Sequence, residues 1–275
     1  MYSLNCKGRL LCWNEPIVMG ILNVTPDSFY SGSRIRSEDM LLEQADRMLT
    51  DGAAILDMGG LSSRPGAMAI SVDAELRRVV PAIRLLASRF PAAIISVDSY
   101  RYKVAEAALG EGASMVNDIG AGKDEAMAEL AASEQVPYIC MHMRGNPQTM
   151  QGLTDYENVT MDVLDFFIRR KAACMRLGVK DIILDPGFGF AKTPAQNFVL
   201  LKNLPLLGIP DLPLMVGLSR KATIYKTLNI KPEDALNGTT VLHTLALQGG
   251  AQILRVHDVK EAVESVRLWT SYASA

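Results

Sequence analysis

The chain has 275 residues, of which 49% are hydrophobic and 21% are charged, and its formal net charge is −2. This composition is typical of a globular protein with an ample core, and so small a charge favours neither a nucleic-acid partner nor a membrane surface. The apolar runs are far shorter than the roughly 20 residues that cross a bilayer. The first residues lack the apolar core of a signal peptide, so we expect a cytoplasmic protein with no nucleic-acid or membrane partner.

The four cysteines form no CxxC pair, and so few cysteines in a chain of this length do not indicate a disulfide framework. Cys140 and Cys174 sit in apolar segments, where a free, buried thiol is expected. This pattern fits a reducing cytoplasm.

A short unit recurs along the chain, at 51–57, 111–118, 177–185 and 249–257. In each copy a helical pattern ends near a glycine, as is common at helix ends where φ is positive. A short apolar run follows, typical of a parallel strand buried on both faces, and it ends in a polar residue. Eight strands are predicted in this way: Ile17–Leu22, Ala54–Met58, Ile94–Val97, Met115–Val116, Tyr138–Met141, Ile182–Leu184, Leu214–Gly217 and Ile253–Val256.

Amphipathic helices are predicted between the strands. One extends from Glu38 to Thr50 with Ser37 as its N-cap, and another from Asn158 to Leu177. Eight strands alternating with helices predict an α/β fold, a single (β/α)8 TIM barrel that spans residues 1–275. The alternative is a doubly wound open sheet, which usually has fewer strands, and no GxGxxG motif follows the first strand here.

A polar residue stands at the end of every predicted strand. In a barrel these positions share the face on which the loops build active sites. Each residue alone has a structural explanation, because Asp and Asn form turns and cap helices. A full set of carboxylates, amides and cations instead favours a site for a polar heterocycle beside an anion. The set comprises Asn23, Asp57, Asp98, Asn117 with Asp118, His142, Asp185, Ser219 to Lys221, and Arg255 with His257.

The cations follow the last two strands, which commonly form the phosphate site of a barrel. Arg220 and Lys221 could instead be a solvated helix start, but cations there oppose the helix dipole, so we favour an anion site. The glycines of "DPGFGFAK" at 185–192 are expected to let the backbone approach a flat ligand, beside Phe188 and Phe190. For His142 we favour a structural, hydrogen-bonded role, and no ligand spacing predicts a zinc site.

Eight motifs occur together in one order, and in combination they resemble the dihydropteroate synthase family from Val18 to about Val266. The resemblance implies a (β/α)8 barrel that usually forms a homodimer. It also implies that (7,8-dihydropterin-6-yl)methyl diphosphate condenses with 4-aminobenzoate, with Mg2+, to give 7,8-dihydropteroate and pyrophosphate. The motifs are "NVTPDSF", "GGLSSRPGA", "SVDS", "VNDI", "HMRGNPQTMQ", "DPGFGFAK", "GLSRK" and "RVHDV".

The resemblance also implies roles for residues of this chain. Catalysis would rest on Asp98, Asp185, Lys221, Arg255 and His257. The pterin would be held by Asp98, Asn117, Asp185 and Lys221, and the diphosphate by Asn23, Arg255 and His257, with Asn23 as the protein ligand to Mg2+. The aminobenzoate would contact Phe29, Ser63, Arg64, Pro65, Phe190, Ser219 and Arg220.

The chain departs from the family pattern in three places. Leu61 and Ser63 stand where Glu and Thr are usual, Ser31 where many members have Asp, and Ala191 where Gly is common. Three alternatives stay open at this point. One is a methyltetrahydrofolate-dependent methyltransferase, which should lack the Ser-Arg-Lys and Arg-x-His residues; another is a non-catalytic pterin-binding protein. The third is a Schiff-base aldolase using Lys221, which is disfavoured because Arg220 stands beside that lysine.

Overall fold

The computed structural model describes residues 1–24, 34–61 and 70–275, and only the backbone of residues 34–37. Eight parallel strands form one sheet, in which the neighbours in order are Ile182–Asp185, Tyr138–Met141, Met115–Asp118, Ile94–Asp98, Ile55–Gly59, Ile17–Asn23, Ile253–Val256 and Met215–Val216. The sheet closes where Leu184 bridges Leu214 in parallel, and the amide of Leu184 donates to the carbonyl of Pro213 at 3.0 Å. The predicted (β/α)8 barrel is confirmed, and the open sheet is excluded by this closure.

The elements alternate along the chain after an initial hairpin. The strands are β1 Tyr2–Cys6, β2 Arg9–Trp13, β3 Ile17–Asn23, β4 Ile55–Gly59, β5 Ile94–Asp98, β6 Met115–Asp118, β7 Tyr138–Met141, β8 Ile182–Asp185, β9 Met215–Val216 and β10 Ile253–Val256. The helices described are α1 Arg34–Thr50, α2 Val72–Arg89, α3 Tyr102–Gly110, α4 Glu125–Ser133, α5 Val159–Arg176, α6 Pro194–Lys202, α7 Ala222–Leu228, α8 Leu236–Gln248 and α9 Val259–Ala273. None of these helices is long and apolar enough to span a bilayer.

The antiparallel hairpin β1–β2 was not predicted from the sequence. Its turn consists of Lys7 and Gly8, with φ of 55° and 88°. Two residues with positive φ are the signature of a tight hairpin turn that matches strand twist, and the "KG" between two short apolar-polar segments was the available signal. The hairpin supplies Leu4, Cys6 and Trp13 to a buried cluster inside the barrel.

The barrel interior is apolar at the end that the hairpin covers. Each of the eight strands contributes one buried side chain to this layer. Because side chains alternate along a strand, residues two positions further on also face inward. This places Asp57, Ser96, Asn117, Asp185 and Arg255 in the next layer, toward the carboxyl ends of the strands. The apolar layer is Met19, Ile55, Ile94, Met115, Ile139, Ile183, Met215 and Ile253.

Two predicted helix boundaries have different outcomes. Asn158 is the N-cap of α5, since its side chain accepts hydrogen bonds from the amides of Thr160 and Met161. The prediction of Ser37 as an N-cap is wrong, because α1 already begins at Arg34. The basic residues at 34 and 36 hid this earlier start, since nothing in their pattern marks a cap.

Candidate active site

A polar layer lies inside the barrel above the apolar one. Asp57 is fully buried, and Asn117 and Asp185 are almost so. The amide nitrogen of Asn117 donates to Oδ2 of Asp57 at 3.0 Å, although the two residues are on strands separated by β5. Such a contact across an intervening strand is made through the barrel interior. The alternation of strand residues thus converts a sequence pattern into one connected polar site.

Arg255 on β10 is the charged centre of this layer. Its Nε donates to Oδ2 of Asp57 at 2.6 Å, and its Nη2 donates to Oδ2 of Asp98 at 2.5 Å. Burial works to lower the pKa of Arg255, but Asp57 and Asp98 raise it by more, so the guanidinium stays charged. Burial raises the pKa of Asp98, and Arg255 opposes that shift. Three strands are thereby joined by one cation.

Four polar atoms of neighbouring strands are buried without a hydrogen-bond partner among the described residues. They belong to side chains on β4, β5 and β6. Unpaired buried polar groups are rare, because each costs about 1–3 kcal/mol. Their concentration on adjacent strands indicates a place where a ligand supplies the partners. The atoms are Oδ1 of Asp57, Oγ of Ser96, Oδ1 of Asp98 and Oδ1 of Asn117.

The opposite wall is built by the loop that follows β8. Oδ1 of Asp185 accepts from the amide of Gly187 at 2.8 Å, and burial raises the pKa of Asp185 while Lys221 opposes the shift. Nζ of Lys221 donates to the carbonyl of Phe188 at 2.6 Å and lies 4.7 Å from the ring centre of Phe190. A carboxylate, an ammonium and an aromatic face therefore converge on this side.

Lys221 is desolvated, and burial lowers its pKa to about 8, with Asp185 opposing. The position of Arg220 next to Lys221 in the sequence is therefore no argument against a Schiff-base lysine, because the side chain of Arg220 is turned away from Lys221. The guanidinium of Arg220 forms two hydrogen bonds with Asp258, at 2.8 and 2.9 Å. Arg220 also donates to the carbonyls of Pro232 and Glu233, and its predicted contact with aminobenzoate stays a prediction.

The last two strands bring Ser219 and His257 together. Oγ of Ser219 lies 3.0 Å from Nδ1 of His257 and accepts from the backbone amide of His257 at 3.2 Å. Ser219 is buried, whereas His257 and Asn23 are exposed at the mouth. A Cβ built on Gly59 would lie 3.2 Å from Oδ1 of Asn23, so the glycine leaves room beside that amide.

Two members of the predicted polar set face away from this site. Asp118 accepts hydrogen bonds from the amides of Gly120 and Gly122 and, at 2.5 Å, from the hydroxyl of Tyr138. It is a structural cap on the outer side of the sheet, because Tyr138 belongs to the core between strands and helices. His142 is buried against α5, 3.4 Å from Asp162, as expected of a structural histidine. The sequence pattern could not separate Asn117 from Asp118, which alternate in direction.

Gly187 is needed for a close contact within the fold, and the predicted approach of its loop to a flat ligand stays a prediction. Its φ is +67°, and a Cβ there would lie 2.0 Å from the carbonyl oxygen of His142. The loop after β8 thus presses against the end of β7, and only glycine permits this approach. Asp57 was noted at a strand end but given no role, since the sequence alone does not show that it pairs with Arg255.

Other predicted residues lie outside the described part of the chain. They are Phe29, Ser63, Arg64 and Pro65, together with the departure at Ser31. A cavity of about 340 Å³ exists between the hairpin and α9, lined by Trp13 and Trp269 among others. It lies at the hairpin end of the barrel, remote from the polar layer.

The chain is similar to known proteins over its whole length. A family model described as "Pterin binding enzyme" matches residues 19–257. The dihydropteroate synthase of Escherichia coli (strain K12) is 42% identical over 275 residues, which cover 99% of this chain and 97% of the relative. The solved dihydropteroate synthase of Yersinia pestis, in a sulfonamide drug complex, has a TM-score of 0.92 and 41% identity, covering 99% of this chain and 100% of that chain. That of Xanthomonas albilineans, with 4-aminobenzoic acid, has a TM-score of 0.91 and 38% identity, covering 99% and 98%.

Proposed function

Since the chain belongs to the dihydropteroate synthase family of pterin-binding enzymes, we propose that the polar groups inside its barrel hold and ionise the pterin substrate of that reaction. The reaction condenses (7,8-dihydropterin-6-yl)methyl diphosphate with 4-aminobenzoate, giving 7,8-dihydropteroate and pyrophosphate. The methyltransferase and aldolase alternatives do not agree with these relatives.

The observation that carries the proposal is the group of four unpartnered polar atoms on β4, β5 and β6. A pterin ring presents amino and ring N–H donors along one edge, and carboxylate and amide oxygens accept them. We assign Asp98, Asn117 and Asp185 to this edge, and Lys221 to the ring carbonyl as a donor. A buried site of this kind discriminates sharply, because an analogue that lacks one donor leaves a buried acceptor unpaired.

The diphosphate is assigned to the mouth of the barrel, to Arg255, His257 and Asn23. Nε and Nη2 of Arg255 are used by Asp57 and Asp98, and we assign Nη1 to the diphosphate. This pre-organised cation neutralises charge that develops on the leaving group. Ser219 contributes by orienting His257 through the 3.0 Å contact with Nδ1.

The residues present fit a magnesium ion. Oδ1 of Asn23 is a hard oxygen ligand exposed at the mouth, with room left by Gly59. Within the described ranges no group of three or more His, Cys, Asp or Glu residues could hold a metal ion alone. Mg2+ keeps several waters and substrate phosphate oxygens in its shell, so one protein ligand is enough for the proposed site. When bound, the ion supplies electrostatic stabilisation of the departing diphosphate.

Bond breaking precedes bond formation in the proposed mechanism. The C–O bond breaks with its electron pair leaving on the diphosphate, and the methylene cation is delocalised into the pterin ring. The carboxylates of Asp98 and Asp185 favour that positive charge. The arylamine nitrogen then forms the C–N bond and loses a proton. No covalent bond to the enzyme is needed, so Lys221 acts as a hydrogen-bond donor and not as a nucleophile.

The aminobenzoate is assigned to the loop side of the pterin. Phe190 is buried beside Lys221 and offers a ring face, and Ser219 offers a polar group. The contacts expected from Phe29, Ser63, Arg64, Pro65 and Arg220 complete this part of the proposal.

The experiment is to incubate the protein with the dihydropterin diphosphate and Mg2+ and to follow pyrophosphate release with and without 4-aminobenzoate. Release that requires the amine, together with formation of dihydropteroate, is the expected result. Absence of release in both mixtures, with a correctly folded protein, would contradict the proposal and favour the non-catalytic pterin-binding alternative.

The proposal includes a homodimer in the cytoplasm. Exposed apolar side chains on α8, such as Val241 and Leu245, support a partner surface. All four cysteines are free thiols, which supports a reducing compartment. Light scattering on a size-exclusion column tests the dimer, and a monomer at micromolar concentration would contradict it.

A further inference from the structure

Lys192, in the loop after β8, is a buried lysine that the proposed mechanism does not use. It is only 4% exposed. Lysine is almost never so buried unless its ammonium is fully hydrogen-bonded. Nζ lies 2.9 Å from Nδ1 of His142 and 3.1 Å from the carbonyl oxygens of both Gly187 and Phe190. Each hydrogen of the protonated amine thus has a neutral acceptor. Burial lowers the pKa of Lys192 to about 7, with Asp185 opposing the shift.

The loop that Lys192 binds follows an unusual backbone path. Gly187, Gly189 and Ala191 have φ of 67°, 82° and 50°. For alanine this left-handed conformation costs about 1–2 kcal/mol. The family resemblance has Gly at this position, so this chain requires more from the contacts that hold the loop. The two carbonyls bound by Lys192 lie on either side of Phe188.

The clamped segment carries the groups that position Lys221. The carbonyl of Phe188 accepts from Nζ of Lys221 at 2.6 Å, and the ring of Phe190 lies 4.7 Å from the same nitrogen. Phe188 is therefore held between two carbonyls fixed by Lys192. A loss of this clamp would move the acceptor of Lys221 and the aromatic face together.

His142 fixes the orientation of Lys192. Burial lowers the pKa of His142 to about 2, and Lys192 adds to the lowering, so the imidazole is neutral. Nδ1 therefore accepts from Lys192, and Nε2 carries the hydrogen that faces Asp162 at 3.4 Å. The ring also packs edge-on against Phe166, with centroids 5.0 Å apart. Packing and hydrogen bonding thus leave the histidine one orientation.

We propose that Lys192 is a positioning residue: its ammonium, oriented by His142, clamps the carbonyls of Gly187 and Phe190 and so fixes Lys221 and Phe190 for substrate binding. The inference rests on the proposed assignment of Lys221 to the pterin and of Phe190 to the aminobenzoate. It adds a residue that touches neither substrate. The side chain acts through the loop, at a distance from the diphosphate groups.

Steady-state kinetics of two variants of similar side-chain length test this role. Lys192→Met removes all donors, whereas Lys192→Gln keeps two N–H groups for the two carbonyls. In Lys192→Met we expect the KM values for both substrates to rise about tenfold, as for loss of a buried hydrogen bond. In Lys192→Gln the KM values should lie between those of Lys192→Met and the wild type. Product inhibition by pyrophosphate should stay within about twofold of wild type, because the clamp does not reach Arg255 or Asn23.

A second pair of variants tests the same clamp by changing His142, which accepts the hydrogen bond from Lys192. His142→Asn keeps an acceptor near the position of Nδ1, and His142→Leu removes it. The first should retain KM values within about twofold of wild type, and the second should resemble Lys192→Met. This comparison remains decisive if Lys192→Met fails to fold.

Three kinetic results would overturn the inference. Unchanged KM values in Lys192→Met, with activity reduced only by the unfolded fraction, would make the residue merely structural. If pyrophosphate inhibition in Lys192→Met weakens as much as substrate binding does, the effect of the substitution is not confined to the loop after β8. If His142→Asn has the same raised KM values as His142→Leu, the hydrogen bond between His142 and Lys192 does not explain them.

Calorimetric binding of a pterin analogue separates the clamp from the proposed function. An equal Kd in Lys192→Met and the wild type would overturn the clamp, whereas failure of the wild type to release pyrophosphate would count against the proposed function alone.

Discussion

Arg255 and Asp57 form a buried ion pair inside the barrel, with 2.6 Å between Nε and Oδ2. Asn117 donates to the same carboxylate oxygen, so Asp57 orients two residues of the proposed site. In Asp57→Asn the size is kept and the charge is lost. We expect the free energy of unfolding, measured in urea, to fall by about 3 kcal/mol, because removing one partner leaves a buried charge incompletely paired.

The matched control is Glu111→Gln. Glu111 pairs with Arg84 at 2.6 Å, but 65% of the arginine side chain is exposed, so water replaces the lost contact. The urea midpoint of Glu111→Gln should equal that of the wild type. Equal midpoints for Asp57→Asn and the wild type would contradict the assigned role of Asp57.

The sequence predicted the barrel because each strand is a short apolar run followed by a polar residue, and that local pattern reflects burial on both faces. It could not predict which polar residues face inward. Asn117 and Asp118 are adjacent and equally polar, yet one lies in the site and the other caps the outer side of the sheet. The sequence likewise could not show that Lys221 lies in the site while Arg220 pairs with Asp258. The two side chains diverge because the backbone at Arg220 has a positive φ. Pairings across the barrel, such as Arg255 with Asp57, join residues 198 positions apart in the chain and have no local signature.

Arg255 is predicted to stabilise the transition state more strongly than the bound substrate. Arg255→Lys keeps a positive charge. The planar guanidinium, however, binds Asp57 and Asp98 and has a third nitrogen for the diphosphate, and an ammonium cannot do both. We expect kcat for pyrophosphate release to fall by about 10²- to 10³-fold, as for loss of a pre-organised electrostatic donor. A wild-type kcat in this variant would contradict the assignment. Circular dichroism of the variant provides the folding control.

Asn23 is expected to set the magnesium requirement. In Asn23→Ala the concentration of Mg2+ that gives half-maximal activity should rise by about tenfold, the lower end of the effect of metal-site substitutions. Asn23→Asp retains a hard oxygen ligand and should require no more Mg2+ than the wild type. Removal of divalent ions by a chelator should abolish activity in all three proteins. An unchanged Mg2+ dependence in Asn23→Ala would exclude Asn23 as a ligand.

Lys221 predicts an alkaline limit to activity. Burial lowers the pKa of Lys221 to about 8, so the donor for the pterin carbonyl is lost as pH rises through about 8. Lys221→Arg stays charged and should move this limb of kcat/KM to higher pH, with a lower maximum. Unfolding does not explain this loss of activity at high pH. The pKa of Lys221 is lower in the folded protein than in the unfolded chain, so the unfolded chain binds more protons than the folded protein between about pH 8 and pH 10.5. The contribution of Lys221 therefore favours the folded state as pH rises, and a pH limb that is identical in Lys221→Arg would contradict the assignment.

Gly187 is predicted to be intolerant of any side chain. In Gly187→Ala the new Cβ would lie 2.0 Å from the carbonyl oxygen of His142, at a φ of +67° that alanine also disfavours. Relief requires the loop after β8 to move away from β7, so we expect the free energy of unfolding to fall by about 3 kcal/mol or more.

Gly110→Ala is the control for that substitution, since Gly110 ends α3 with nothing within 4 Å of a built Cβ. It should be neutral or should stabilise the fold by up to about 1 kcal/mol, because alanine loses less conformational entropy in a helix. Both variants are compared by urea unfolding. Equal stability of Gly187→Ala and Gly110→Ala would mean that the loop after β8 does not need its close contact with His142, and it would also remove one support of the clamp formed by Lys192.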